Sequence, residues 1–232
     1  MLCSAVPIAT EITCWCDLMK NLRHFIWDFD GTLFDTYPVI IEDLNLALGE
    51  FGHSCRTLEA MRLMQGRLAH AQTFYAEKFG IPMEELVAAY DRHHARANRE
   101  LRAAPMAGVE KVLEAIRDSG RRSYIFSHRK PEETKLYLEK YGLSSYFSHI
   151  IGPGAEGFAE KPAPDSVRYL MKRYAMAPEE TVMVGDRECD LGSGRSAGIR
   201  TAHLVCPMAP ETLNCNWRFE SFDEMLPYIK EM

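Results

Sequence analysis

The spacing of apolar residues changes character several times along this chain. His24-Phe25-Ile26-Trp27 is an unbroken run that predicts a strand. From Pro38 the period lengthens: Ile40, Leu44, Leu48 and Phe51 recur as on one helix face, and Asp35 and Thr36 stand where a helix cap would. Helical patterns continue over 58–65, 69–79 and 83–103, with Asn98 as the weak point of the last and Gly52, Gly66 and Gly80-Ile81-Pro82 as punctuation. No strand pattern interrupts them before about Pro105. Beyond Pro105-Met106-Ala107-Gly108 the pattern alternates, with helices predicted over 109–119, 131–141, 165–174 and 190–197. Strands are predicted over 123–126, 147–151, 181–184 and 201–205.

Short strands separated by helices of about ten residues predict an α/β protein with a doubly wound, Rossmann-like parallel sheet. The helical stretch after the first strand is then an insertion of about 70 residues, an ordinary size for a domain. The expected organisation is a peripheral extension at 1–18, a discontinuous core from 19–35 plus 106–232, and an inserted all-helical unit at 36–105. The sequence carries no internal repeat or low-complexity tract.

A 232-residue chain with 47% hydrophobic residues can bury a full core. Its net charge of −6 argues against a broad nucleic-acid surface, which needs clustered Lys and Arg. The seven cysteines lack metal-ligand spacing, since Cys14 and Cys16 are separated by one residue, and they read as reduced thiols. No run approaches the roughly 18 apolar residues of a membrane span. Glu11 and Asp17 interrupt any secretory signal in the first 18 residues, so a cytoplasmic protein with no membrane partner is expected, as a monomer or a homodimer.

Four clusters of reactive residues fall at predicted strand ends, where a parallel sheet assembles its ligand site. Asp28 and Asp30 lie two positions apart in DFDGTLFDT, directly after the first strand. Carboxylates this close repel unless a cation sits beside them or one stays protonated, and both conditions suit phosphoryl transfer. Gly31 and Thr32 follow, in a flexible segment able to aim amide hydrogens at an anion. Ser127 comes directly after the strand over 123–126, with His128 and Arg129 beside it. Lys161 stands before Pro162 in AEKPAPD. In GDRECD, Asp186 ends one strand and Asp190 lies four residues on.

Taken together, in this order, these motifs resemble those of the haloacid dehalogenase superfamily, over nearly everything from Leu22 to Val205. The segment GDRECDLGSGRSAGIRT is similar to metabolite phosphatases related to phosphoglycolate phosphatase and β-phosphoglucomutase. The resemblance implies that the helical insert is a C1-type cap and that Asp28 is a nucleophile forming an aspartyl-phosphate. It implies that Asp30 is the general acid and base, with a carboxyl pKa raised by its neighbour, and that Mg²⁺ is held by Asp28, the Asp30 carbonyl and Asp186. Ser127, Lys161 and the backbone at Gly31 and Thr32 would hold the phosphoryl oxygens. Asp190 would support Lys161 or a metal-bound water. His128 departs from the Asn frequent at its position, and its role is open.

Each residue also has an ordinary reading. Asp28 and Asp30 could be a solvated turn, Ser127 and Asp190 helix caps, and Lys161 a surface lysine. Arg67, beside Gly66 and Gln65, is the candidate substrate contact from the cap, against an exposed helix-start arginine. Arg96, Arg99 and Arg102 could form a basic stripe or a solvated face, and His93 and His94 lack a metal-ligand partner. The implied function is a Mg²⁺-dependent phosphatase of a small phosphorylated metabolite. A phosphomutase is the nearest alternative and a non-catalytic phospholigand-binding module the outside one. Phosphonate cleavage would need a cap lysine, and Lys78 is the only lysine between Asp30 and Lys111. Cap and core are expected to open and close about hinges near Thr36 and Pro105.

Overall fold

The computed structural model describes residues 19–64, 68–206 and 213–231. Six strands form one parallel sheet: β1 (His24–Trp27), β4 (Arg122–Phe126), β5 (Phe147–Ile151), β6 (Thr181–Gly185), β7 (Arg200–Leu204) and β8 (Trp217–Phe219), in the spatial order β5-β4-β1-β6-β7-β8. Strand β1 pairs with β4 on one side and β6 on the other, with Trp27 level with Ile125 and Val184. It is thus the central strand, buried on both faces, which is why its sequence runs apolar without alternating. Its side chains divide between two cores. Phe25 and Trp27 join Val112, Ile116, Phe222 and Met225 on one face, whereas Ile26 joins Val167, Leu170 and Met183 on the other. The helices on these faces are α5 (Val109–Asp118) and α9 (Phe222–Lys230) against α7 (Asp165–Tyr174). The sheet is doubly wound, as expected.

Between β1 and β4 lie α1 (Tyr37–Gly49), α2 (Thr57–Met64), α3 (Leu68–Phe79) and α4 (Met83–Glu100). They enclose a separate apolar cluster in which Leu44 and Leu48 meet Met61, Tyr75 and Leu86. The chain enters and leaves this helical cap through a two-stranded antiparallel ribbon, β2 (Phe34–Asp35) with β3 (Ala104–Pro105). This ribbon corrects the expectation of no strand before Pro105, because two-residue strands are too short to show a period. Thr36 does precede α1, but its side chain makes no capping hydrogen bond; Pro38 in the first turn fits instead.

The helix expected over 83–103 ends at Glu100, where Leu101 turns left-handed at φ 49°. The two remaining helices are α6 (Pro131–Lys140) and α8 (Glu188–Ala197), the latter starting two residues before the expected Asp190. Strand β8 and helix α9 were not expected. Three residues of strand carry little pattern, and Pro227 inside α9 masks its period. A signal was available in Ser221 and Glu224, the S-x-x-E spacing of a helix start, and the Ser221 hydroxyl accepts the Glu224 N–H. The described cysteines form no disulfide with one another. No described helix is long and apolar enough to cross a membrane.

Candidate active site

The carboxyl ends of β1, β4 and β6, with the segment that follows β5, bring the four sequence clusters together. Asp28 leaves β1 with its N–H donated to the Val184 carbonyl, which anchors it beside the end of β6. Its carboxylate is fully buried, as are those of Asp186 and Asp190, and ligand atoms of the three lie within 4.8 Å of one another. Lys161, itself 1% exposed, donates to Asp28 Oδ1 at 2.6 Å and to Asp190 Oδ1 at 2.8 Å. The surface-lysine reading is therefore wrong. Burial opposes the Lys161 charge, but Asp190 and Asp28 outweigh burial and hold its pKa above the ordinary lysine value.

Asp190 serves two ends with one carboxylate. Oδ1 takes Lys161, while Oδ2 accepts the Arg187 N–H at 3.1 Å and caps α8. One carboxylate thus contacts both the α8 start and Lys161. Gly185 allows this close packing, since a Cβ there would lie 2.4 Å from Asp190 Cβ.

Asp186 accepts from Thr32 Oγ1 at 3.1 Å and from the Tyr37 hydroxyl at 2.7 Å. Gly31 makes that approach possible. It sits at φ +81°, and a Cβ there would lie 2.3 Å from Tyr37 Cε2 and 2.6 Å from Asp186 Oδ2. Its N–H is turned inward to the Phe34 carbonyl at 2.8 Å. We expect Gly31→Ala to lower folding stability by about 1–3 kcal/mol, from left-handed strain plus overpacking. Urea denaturation of the variant against wild type checks this.

Asp30 departs from expectation. Burial pushes its carboxyl up, but the Arg129 guanidinium more than compensates and holds it below the ordinary carboxylate value. Arg129 donates from Nη2 and Nε to Asp30 Oδ1 at 2.7 and 3.1 Å. The expected rise belongs to other carboxyls. Asp28 is pushed up to about 6, by burial and then by the Asp190 charge. Asp186 is pushed up to about 7, by burial and then by Asp190 and Asp28, against the opposing charge of Arg187.

Ser127 is buried at the end of β4, and its hydroxyl accepts the Arg129 N–H at 3.0 Å. It holds the turn at Arg129 and does not cap α6, whose N-cap is Lys130. His128 is half-buried and kept neutral, with its pKa lowered to about 4 by burial and then by Lys161 and Arg187. Gly66 and Arg67 lie outside the described residues, as does the extension at 1–18. Within the arginine stripe, Arg96 pairs with Glu100 and Arg102 with Glu42 and Asp43. His93 and His94 face Glu50 and Asp43.

Between cap and core is a cavity of about 710 Å³. Asp30, Tyr37 and His128 border it from the core side and hinge, and Met64, Tyr90 and Asn98 from the cap. Its size suits a small-molecule ligand. Lys78 is not among its lining residues and pairs instead with Glu59. Tyr37 and Arg187 were not singled out in the sequence, and Asn98 only as the weak point of a helix. Arg129 was noted only as a neighbour of Ser127, because its partners lie 99 and 31 residues away.

This geometry accords with what comparison finds. The family model for haloacid dehalogenase-like hydrolases matches residues 25–204. The chain belongs to this family. Among its relatives, the phosphoglycolate phosphatase of Aquifex aeolicus is 28% identical over 183 residues, covering 78% of this chain and 84% of that one. The pyrophosphatase PpaX of Halalkalibacterium halodurans is 27% identical over 195 residues, covering 78% and 83%. The crystal structure of a predicted phosphoglycolate phosphatase from Haemophilus somnus superimposes with a TM-score of 0.77 at 20% identity, covering 89% of this chain and 97% of that one. CbbY from Rhodobacter sphaeroides, solved in complex with phosphate, gives 0.71 at 18% identity, covering 90% and 99%. At these identities the structural likenesses establish the shared fold of core and helical cap.

Proposed function

We propose that this hydrolase is a Mg²⁺-dependent phosphomonoesterase that works through an aspartyl-phosphate on Asp28. Its substrate would be a small phosphorylated metabolite of the phosphoglycolate or sugar phosphate type. The observation that carries this is the buried Lys161 bridging Asp28 and Asp190, with Asp186 alongside, in motifs whose Asp30 and Arg187 line the cavity between cap and core. Sequence relatives named as phosphatases support it. The cavity leaves room for a leaving group.

The acidic cluster suits a divalent cation. Three buried carboxylates face one buried lysine and the Arg187 charge, and two of them are still pushed above the ordinary range, so their full ionisation is incompletely compensated. As the resemblance implies, Asp28, Asp186 and the Asp30 carbonyl would hold the ion, with Asp190 kept on Lys161 and the Arg187 N–H. Bound Mg²⁺ would neutralise charge between an anionic nucleophile and an anionic substrate.

The chain's own groups do the rest. An Asp28 oxygen bonds to phosphorus as the bond to the leaving oxygen breaks, and that oxygen takes the proton of Asp30. Water then bonds to phosphorus, the Asp28–phosphorus bond breaks, and the water proton returns to Asp30. Arg129 favours ionised Asp30, and the approaching substrate dianion favours the protonated form that the first step needs. Lys161, Ser127 and the amides near Asp30, that of Thr32 among them, hold the phosphoryl oxygens. His128, being neutral, borders the leaving-group space without adding charge. Arg67 is the proposed cap contact to the substrate.

The deciding experiment is phosphate release from an aryl phosphate with Mg²⁺ and with chelator, followed by a panel containing phosphoglycolate, sugar phosphates and pyrophosphate. Metal-dependent release is expected. Isomerisation of a sugar phosphate without net release would overturn the phosphatase reading in favour of a mutase. Binding without turnover would leave a phospholigand sensor.

Metal affinity should depend on pH. Cation binding requires ionised Asp28 and Asp186, and their raised pKa values make that form scarce below about pH 6 to 7. In the folded apoprotein these two groups keep protons that the unfolded chain would release, so their contribution to stability falls as the pH rises from about 4 to 7. Mg²⁺ offsets this loss. The Mg²⁺ dissociation constant, read by titration calorimetry, is expected to fall at least about tenfold from pH 5.5 to 7.5. The rise in Tm on adding Mg²⁺ should grow over the same range. A flat profile would count against Asp28 and Asp186 as the ligands.

A further inference from the structure

Arg129 is 7% exposed, and its side chain reaches three polar side chains. Two of its nitrogens hold Asp30 Oδ1, while Nη1 donates to Asn98 Oδ1 at 2.8 Å and lies 3.4 Å from Glu133 Oε2. Asn98 Nδ2 donates to the same Glu133 oxygen at 3.1 Å, so the three side chains close a ring. The guanidinium lies over the rings of Phe29 and Tyr137, at 5.7 and 5.4 Å from their centroids. Its backbone N–H is fixed by Ser127.

These partners come from different parts of the fold. Asp30 follows the central strand β1, Glu133 is in the first turn of α6, and Asn98 is in the last turn of cap helix α4, just before the left-handed Leu101. A guanidinium is a planar fork whose donors cannot be re-aimed independently. Asn98 therefore acts on the same rigid fork whose other nitrogens hold Asp30.

We propose that Arg129 is a positioning residue that couples the cap to acid–base chemistry: its fork, set on the cap side by Asn98, fixes the Asp30 carboxyl in the cavity. The assignment rests on the phosphomonoesterase reading and adds to it a residue and a route of coupling. Docking of α4 completes the ring around the guanidinium, and Asp30 then has one orientation. When α4 withdraws, Arg129 keeps its contact with Asp30 and loses the shorter of the two contacts on its far side, Glu133 remaining.

The two half-reactions separate this role from a merely structural one. With 4-nitrophenyl phosphate the leaving oxygen needs no proton, so attack by Asp28 proceeds without a well-placed Asp30. Hydrolysis of the aspartyl-phosphate still needs Asp30 to take a proton from water. Stopped-flow release of nitrophenolate should therefore show, for Arg129→Met and for Asn98→Ala, a burst of about one equivalent followed by a slow steady state. We expect kcat to fall by roughly 10- to 100-fold for Arg129→Met and by at least ~3-fold for Asn98→Ala, with KM changed less than kcat. Arg129→Lys, which keeps the charge and loses the planar fork, should show the burst as well.

Asn98→Ala removes a half-buried side chain at the end of a helix, so it tests the coupling even where Arg129→Met fails to fold. Wild-type kcat in Asn98→Ala would overturn the coupling to the cap. Loss of the burst in folded Arg129→Met would place Arg129 in the nucleophilic step and also overturn the proposal. Absence of turnover in the wild type would remove the phosphatase reading and this assignment with it, whereas normal wild-type turnover beside an unaltered Asn98→Ala overturns the assignment alone.

Discussion

Asp28→Asn is expected to reduce Mg²⁺-dependent phosphate release by at least about 10³-fold, measured on an aryl phosphate under saturating metal. An amide oxygen has the shape of the carboxylate but lacks the nucleophilicity to form the phospho-enzyme. The same substitution should leave the apoprotein at least as stable as wild type at pH 7.5. Burial and the nearby Asp190 charge make ionised Asp28 unfavourable in the folded protein, as its raised pKa records. The Asn oxygen can still accept the Lys161 hydrogen bond, so removing one charge from a crowded trio relieves repulsion while keeping the contact. A lost activity with an unchanged or higher Tm separates a chemical role from a structural one. Retained activity would move the nucleophile elsewhere and dismantle the proposed mechanism.

Lys161→Met is expected to damage both stability and activity. The ammonium is the group hydrogen-bonded to both Asp28 and Asp190, and all three side chains are buried. Removing it leaves two carboxylates facing each other in a dry setting, a change that typically destabilises by about 3–5 kcal/mol. Urea denaturation reads this directly. Adding Asp190→Asn should recover part of the loss, because one of the stranded charges is then gone, and the non-additivity of the pair measures their coupling. Turnover in any folded fraction should fall by roughly 10²- to 10³-fold, since Lys161 is also proposed to hold a phosphoryl oxygen. A variant as stable as wild type would show that the three-group cluster is not the electrostatic keystone of this site.

Three further measurements probe parts of the molecule that these two leave untouched. The pH dependence of Mg²⁺ affinity tests the ligand set, Gly31→Ala the turn beneath Tyr37, and the nitrophenolate burst the link from Asn98 through Arg129 to Asp30.

Much of this protein was legible in its sequence because the relevant signals are local. The apolar run at 24–27 followed by Asp28 and Asp30, the helix patterns of the insert, and the alternation after Gly108 all report on short stretches whose period reflects which faces are covered. They fixed the class of fold and the four motifs that the sheet brings together. The polar partnerships were not local. Asp186 is bound by Thr32 and Tyr37 across 154 and 149 positions, and Asp30 by Arg129 across 99. For that reason the carboxyl whose pKa is raised proved to be Asp28 and Asp186, not Asp30. Protonation depends on burial and on which charges the fold sets alongside, and neither is a property of a neighbouring residue in the chain. The same holds for β2, β3 and β8, whose two or three residues become strands only by finding partners far away. The sequence alone determined where the reactive groups lie along the chain and that strand ends would gather them. Tertiary structure alone decided which cation faces which carboxylate, because charges interact through space and not along the backbone.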